Sequence, residues 1–266
     1  MHRMFRRFLA IAAVAASCLL PRAADATDFT DLWFVPAESG WGVNVVQSDS
    51  FLFLTFFIYG ADHSPLWYTG SLTWNGDTYA GALYATRGTF WANPWDPADH
   101  PFAQQVGTAS FQPSAANAYQ ATLTYTVDGI GTVTRQIERQ ALTPIAIGGS
   151  YAGAQAGAYS GCPVDADNGA YVDKYSLGAS QTTTGSATLT FSYDSGATCT
   201  LSGTLQQFGQ LYTMPGAAYA CSGSLSFTTT ATVHELKATA QGLEGRLAAT
   251  LPSGCRENAN FSGVLL

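Results

Sequence analysis

The chain has 266 residues, of which 47% are hydrophobic, 13% aromatic and 11% charged, with a formal net charge of −7. Charged side chains stand at less than half the roughly 25% of an ordinary soluble domain, which excludes a coiled coil, a charged helical bundle and a polyelectrolyte tail. Abundant Gly, Thr, Ser and Ala point to β-structure instead.

The first 26 residues read as an export signal. Arg3, Arg6 and Arg7 precede an apolar run over 8–20, and Ala24-Asp25-Ala26 offers a small-x-small cleavage site. The run is shorter than the roughly 20 residues that a spanning helix needs. Lipid attachment at Cys18 is the alternative, although apolar residues continue past it and no Leu stands three positions before it. Loss of residues 1–26 removes four Arg and one Asp, leaving 7 basic against 17 acidic side chains and a net charge of −10. That balance argues against nucleic acid and anionic lipid as partners. The expected location is exported, in a periplasm or the medium.

Strand-like runs separated by turn residues then recur at 41–47, 51–59, 66–74, 78–86, 106–111, 119–127 and 132–140. Asn75-Gly76-Asp77 is a strong hairpin signal. In the second half the runs are 149–159, 187–193, 198–206, 211–222, 225–232, 234–240, 243–251 and 260–265, with a short helix expected within 164–177. The fold class is therefore all-β, as two antiparallel meanders, each closing into a small up-and-down barrel that removes its exposed edges. All six Trp lie between Trp33 and Trp95, whereas Cys162, Cys199, Cys221 and Cys255 all follow residue 160. This asymmetry predicts a Trp-rich domain over 27–144 and a disulfide-stabilised domain over 145–266, with Pro144 and Gly148-Gly149 marking the seam. Four cysteines allow three pairings. Hairpin topology favours Cys199–Cys221, and a closed barrel, whose first and last strands are neighbours, favours Cys162–Cys255. No Cys-x-x-Cys occurs and no His stands at ligand spacing, so no zinc site is expected.

The segment Leu32-Trp33-Phe34-Val35-Pro36-Ala37-Glu38-Ser39-Gly40-Trp41-Gly42, continued by Phe56-Phe57-Ile58-Tyr59 and Pro65-Leu66-Trp67-Tyr68, resembles a β-module of exported proteobacterial proteins. The pattern, a Trp, then Pro-x-Glu-Ser-Gly-Trp-Gly, an aromatic strand and Pro-x-Trp-Tyr, covers about residues 30–85. The resemblance implies export and β-structure but no reaction. The chain is also similar, more loosely, to lipocalin-type barrels, which open on Gly-x-Trp and lay an Arg of the last strand over that Trp. Gly40-Trp41 and Arg135 or Arg139 are the residues that the likeness singles out.

No Gly-x-Ser-x-Gly elbow is present. His63, His100 and His234 sit among polar neighbours and read as structural rather than as members of a Ser–His–acid triad. Asp165-Ala166-Asp167-Asn168-Gly169, with Asp173 as a further oxygen donor, faintly matches a calcium loop, but its Gly comes one position early and no Glu closes it. The most unusual stretch is 91–102, where Pro94, Pro97 and Pro101 stiffen a loop carrying Trp91 and Trp95. Rings held beside carboxylates suit a sugar face or an apolar ligand at a barrel mouth. Trp41, Trp67, Trp91, Trp95, Glu38 and Asp96 are thus the expected ligand contacts, with the first barrel hollow; Glu38, before a Gly turn, reads more often as a solvated or backbone-bonded residue than as a buried acid donating to a ligand. The expected function is an exported, non-enzymatic protein that binds a small or extended ligand through this aromatic face, without a cofactor. One alternative is a secreted glycoside hydrolase pairing Glu38 with Asp96 or Asp99 at about 5–9 Å. The other is a structural or partner-binding envelope protein.

Overall fold

A computed structural model describes residues 27–99 and 102–266. The expected export signal, Cys18 and His100 fall outside the described residues. The chain forms two closed antiparallel barrels of eight strands each.

The first barrel runs β1 (Asp31–Phe34), β2 (Gly42–Ser48), β3 (Phe51–Tyr59), β4 (Pro65–Trp74), β5 (Tyr79–Arg87), β6 (Phe102–Pro113), β7 (Gln120–Val127) and β8 (Gly131–Arg139). Each strand pairs with the next, and β1 closes on β8 through Trp33↔Arg139 and Phe34↔Glu138. Period-two patterning fixes the register, since a slip of one residue would turn every apolar side chain outward. In β3, Leu52, Leu54 and Phe56 point in, while Phe51, Phe53 and Phe57 point out. The inward faces supply Trp33, Leu52, Leu54, Phe56, Leu72, Leu83, Phe111, Leu123 and Ile137, all fully buried. Trp33 meets Phe111 edge-on at 5.1 Å, and Phe56 meets Tyr125 at 5.4 Å. Gly81 lets β5 lie close against β4, because a Cβ there would collide with the carbonyl oxygen of Ser71. This interior is filled with side chains, which corrects the expectation of a hollow first barrel.

The second barrel comprises β9 (Gly149–Ser160), β10 (Gly169–Gln181), β11 (Ser186–Tyr193), β12 (Ala197–Thr204), β14 (Leu211–Gly223), β15 (Phe227–Ala238), β16 (Gly242–Thr250) and β17 (Arg256–Leu265). A short β13 (Gln206–Phe208) pairs only with β14, while β12 pairs with β14 and β17 pairs with β9 to close the ring. Two expectations change here. The helix within 164–177 is absent: a 3-10 turn spans Asp165–Asp167 and the long strand β10 follows. Tyr171, Asp173, Tyr175 and Leu177 alternate with more exposed neighbours, a period of two that spaced aromatics disguised. The separate runs 225–232 and 234–240 form one strand, β15, bent by a bulge at Glu235 with φ +49°.

Disulfides join Cys199 to Cys221 and Cys162 to Cys255. The first pair stands directly opposite in the β12–β14 ladder. The second ties the loop after β9 to the start of β17, across the seam between the first and last strands.

Residues 140–148 connect the barrels and are docked on the second. Tyr212 Oη accepts from Ile145 N and donates to Ile145 O, and Gln207 Nε2 donates to Thr143 O. The barrels meet at Tyr119, whose ring stacks on Phe208 at 4.9 Å and whose hydroxyl accepts from Glu235 N. They meet again at Asp31, which accepts from Gln210 N at 3.0 Å.

Arg139 sits at this junction. It donates to Asp31 Oδ2 at 3.2 Å, to Ala118 O and to Asp28 O, and its guanidinium lies 4.9 Å above the Trp33 ring. An Arg from the last strand thus covers a Trp of the first. The pair is Arg139 with Trp33 of Asp31-Leu32-Trp33, not a pair built on Trp41, because β1 precedes the expected first strand. Burial pushes the Arg139 guanidinium down from its ordinary value, and Asp31 opposes that shift.

Candidate functional site

Strand direction sorts the candidate residues. Asp31, Arg139 and the β2–β3, β4–β5 and β6–β7 turns lie at the end of the first barrel that faces the second. The segments 35–41, 60–64, 88–99 and 128–130 therefore share the distal end. Glu38, Trp41, Trp91, Trp95 and Asp96 lie in these segments, and Trp67 is the third residue of β4 from the same end. All six residues expected as ligand contacts come to one end of one barrel.

Their environments differ. Trp41 is half-buried against the core, and its Nε1 donates to Glu38 Oε2 at 3.0 Å. Arg135 Nε donates to the same oxygen at 3.1 Å. Glu38 is exposed and paired with Arg135, in line with the solvated reading of a Glu before a Gly turn rather than the buried-acid one. Trp67 is 56% exposed and stands opposite Phe57, itself 51% exposed, in the β3–β4 ladder. Tyr59 beside them is exposed. In the following loop Phe90, Trp91 and Trp95 are all exposed, Trp91 to 87%, and Phe90 meets Trp91 at 5.6 Å. Val46 and Phe53, directly paired, continue the apolar outer wall along β2 and β3.

The carboxylates of this end serve their own turns. Asp96 Oδ1 accepts from Ala98 N at 2.8 Å, and Thr89 Oγ1 accepts from Asp96 N. Asp62 Oδ1 accepts from Ser64 N, and bonding to Ser64 holds that carboxyl below the usual range. Glu38 bonds to Trp41 and Arg135, and Asp96 to Ala98. His63 occupies a turn with φ +65° and is exposed. His234 lies on β15, and burial lowers its pKa against the opposing pull of Glu235. Neither described histidine is hydrogen-bonded to a serine. Asn168 of the calcium-like segment accepts from Cys162 N, and among the described residues no group of three or more His, Cys, Asp or Glu is placed to hold a metal ion. Among the described residues, too, no helix is long and apolar enough to cross a membrane.

Two further polar regions lie elsewhere. A cleft of about 660 Å³ opens between the barrels, with Asp28 and Arg139 on one side and Lys237, Glu244, Arg246 and Asn260 on the other. Most of its charges are paired within it, Arg246 with Glu235 at 3.3 Å and Lys237 with Asp28 at 4.0 Å.

The second region fills the end of the second barrel away from the linker. Buried Glu257 accepts through Oε1 from Tyr171 Oη and from Gln155 Nε2 at 3.2 Å, and through Oε2 from Tyr219 Oη at 3.4 Å. Tyr193 Oη donates to Gln155 Oε1 at 2.6 Å, and Tyr159 stacks on Tyr171 at 4.9 Å. Burial raises the Glu257 pKa although all three hydrogen bonds lower it. The signal for this cluster lies in Cys255-x-Glu257-x-Ala259-x-Phe261, whose two-residue alternation begins ahead of the expected strand 260–265 and puts the acid on the inward face with a core Phe.

No protein-family model matches the chain, and no curated protein matches it. Among solved structures it aligns with a protein of unknown function from the DUF3598 family of Nostoc punctiforme. Identity is 11%, coverage is 88% of this chain and 93% of that one, and the TM-score is 0.27, at which the likeness carries no argument.

Proposed function

We propose that this chain is an exported, non-enzymatic binding protein whose first barrel takes up a neutral, flat-faced ligand, of which a polysaccharide is the type, on the aromatic outer wall at its distal end. The observation that carries the reading is the solvent-facing set Phe57, Trp67, Trp91 and Trp95 on a barrel whose interior is full. An acyl chain needs a concave apolar pocket to cover most of its surface. A sugar ring needs only an aromatic plane, and a stiff Pro-rich loop presents such planes at little ordering cost. Charge supports neutrality of the ligand: Glu38 is matched by Arg135, and Asp62 and Asp96 hold backbone N–H groups. Export is supported by the signal-like N-terminus and by two disulfides, which persist in oxidising compartments.

The test is a titration of intrinsic Trp fluorescence with a soluble neutral glucan, a charged glycan and phosphatidylcholine vesicles. The reading expects a saturable shift with the neutral glycan, lost in Trp67→Ala and Trp91→Ala. A response to vesicles alone, or to none of the three, overturns it.

A further inference from the structure

The cluster around Glu257 has a composition that packing alone does not require. The groups around the acid come from every neighbouring element: Gln155 and Tyr159 from β9, Tyr171 from β10, Tyr193 from β11 and Tyr219 from β14, with Asp173 of β10 acting on Tyr159 and Tyr193. The register partner on β16 is Ala249, and β15 contributes Phe227, edge-on to Tyr219 at 5.2 Å. No cation faces Glu257 among these groups. Neighbouring Arg256 is exposed, with its guanidinium near Gly161, and Asp173 accepts from Ser195 Oγ at 2.7 Å.

An ionised carboxylate buried without a counter-cation is unfavourable, and the group relieves itself by taking a proton. Three neutral donors offset part of that cost, but burial prevails and the carboxyl lies above its ordinary range. The surrounding hydroxyls do not compete. Burial and the acid itself drive Tyr171, Tyr193 and Tyr219 far up, and Tyr159 to about 12. Between the acid and its tyrosines, Glu257 is therefore the group that gains or loses a proton as pH changes.

We infer that Glu257 is a proton-operated latch for the far end of the second barrel. With the proton bound, the acid and its tyrosines tie β9, β10, β14 and β17 together. With the proton lost, a buried negative charge is confined among tyrosines with no facing cation and these strand ends part more often, while Cys162–Cys255 keeps them within reach of re-closure. Because the folded group binds its proton more tightly than the unfolded chain does, the latch contributes fully below the ordinary Glu value of about 4.3. Its contribution is lost as pH rises through the folded value. Each unit separating the two values raises the open population about tenfold on the alkaline side.

The test follows amide exchange of the full chain at β10 and β17, corrected for intrinsic rates, across the pH range in the native protein and in Glu257→Gln. The latch expects protection at these strand ends to fall with rising pH in the native protein and to stay level in the variant. Parallel profiles overturn it. Should Glu257→Gln fail to fold, a ¹³C titration of the native Glu257 carboxyl decides: a midpoint above about 4.3 supports the latch, and one at or below it overturns the latch.

Discussion

Removing each disulfide separately should weaken the second barrel in proportion to the loop that the bond closes. Cys162–Cys255 spans 93 residues and Cys199–Cys221 spans 22. On the chain-entropy relation these correspond to about 4.6 and about 3.4 kcal/mol at 25 °C. All four cysteines are buried to a similar degree, so the loss of side-chain packing in Cys→Ala pairs largely cancels between the two double variants. At a urea slope of about 2 kcal/mol/M the midpoint should fall by roughly 2.3 M in Cys162→Ala/Cys255→Ala and by roughly 1.7 M in Cys199→Ala/Cys221→Ala. The chain supplies its own control. Every Trp lies in the first 95 residues, so Trp fluorescence reports the first barrel while far-ultraviolet dichroism reports both. Only the dichroism component of the second barrel should move. A larger loss from the shorter loop, or an equal shift in the Trp signal, would refute the reasoning.

Other outcomes follow from single contacts. Arg139→Met should cost about 3–5 kcal/mol in urea unfolding followed by Trp emission, because Asp31 remains buried without its cation; adding Asp31→Asn should recover part of that loss. Gly209→Ala should cost about 1–3 kcal/mol, since φ there is +60° and a Cβ would collide with Asp31 Oδ2. Loss of the Gln210–Asp31 bond should show as faster amide exchange at Gln210. Trp91→Ala should leave the melting temperature within about 2 °C of the native value, because an 87% exposed ring contributes little packing, and a larger fall would mean that the loop is part of the core.

Much of the architecture was legible because period-two patterning is a local signal. Phe51 to Tyr59 and Leu66 to Trp74 show it directly, and turns such as Asn75-Gly76-Asp77 punctuate it; Asn75 Oδ1 accepts from both Asp77 N and Thr78 N. What escaped depends on contacts distant in sequence. Strand β1 has four residues, too few to display a period, and it exists because Trp33 fills the barrel and Arg139, over a hundred positions later, covers it. Strand β10 was hidden by Tyr and Val spacings that imitate a helical face. Filling of the first barrel depends on how rings such as Phe56, Phe111 and Tyr125 interlock across strands, which no single segment encodes. The candidate residues were visible by type, whereas their gathering at the distal end required the strand directions.

The two seams answer differently to mechanical load. In the first barrel the opening and closing strands are zipped at only two paired positions, with Arg139 as the rivet. Tension applied to the ends of the chain should peel it there. In the second barrel force reaching Cys162 crosses to Cys255 through a covalent shortcut, so the 92 intervening residues are spared stretching. Stretched as a single molecule, the protein should yield at one end and resist at the other until a reductant is added.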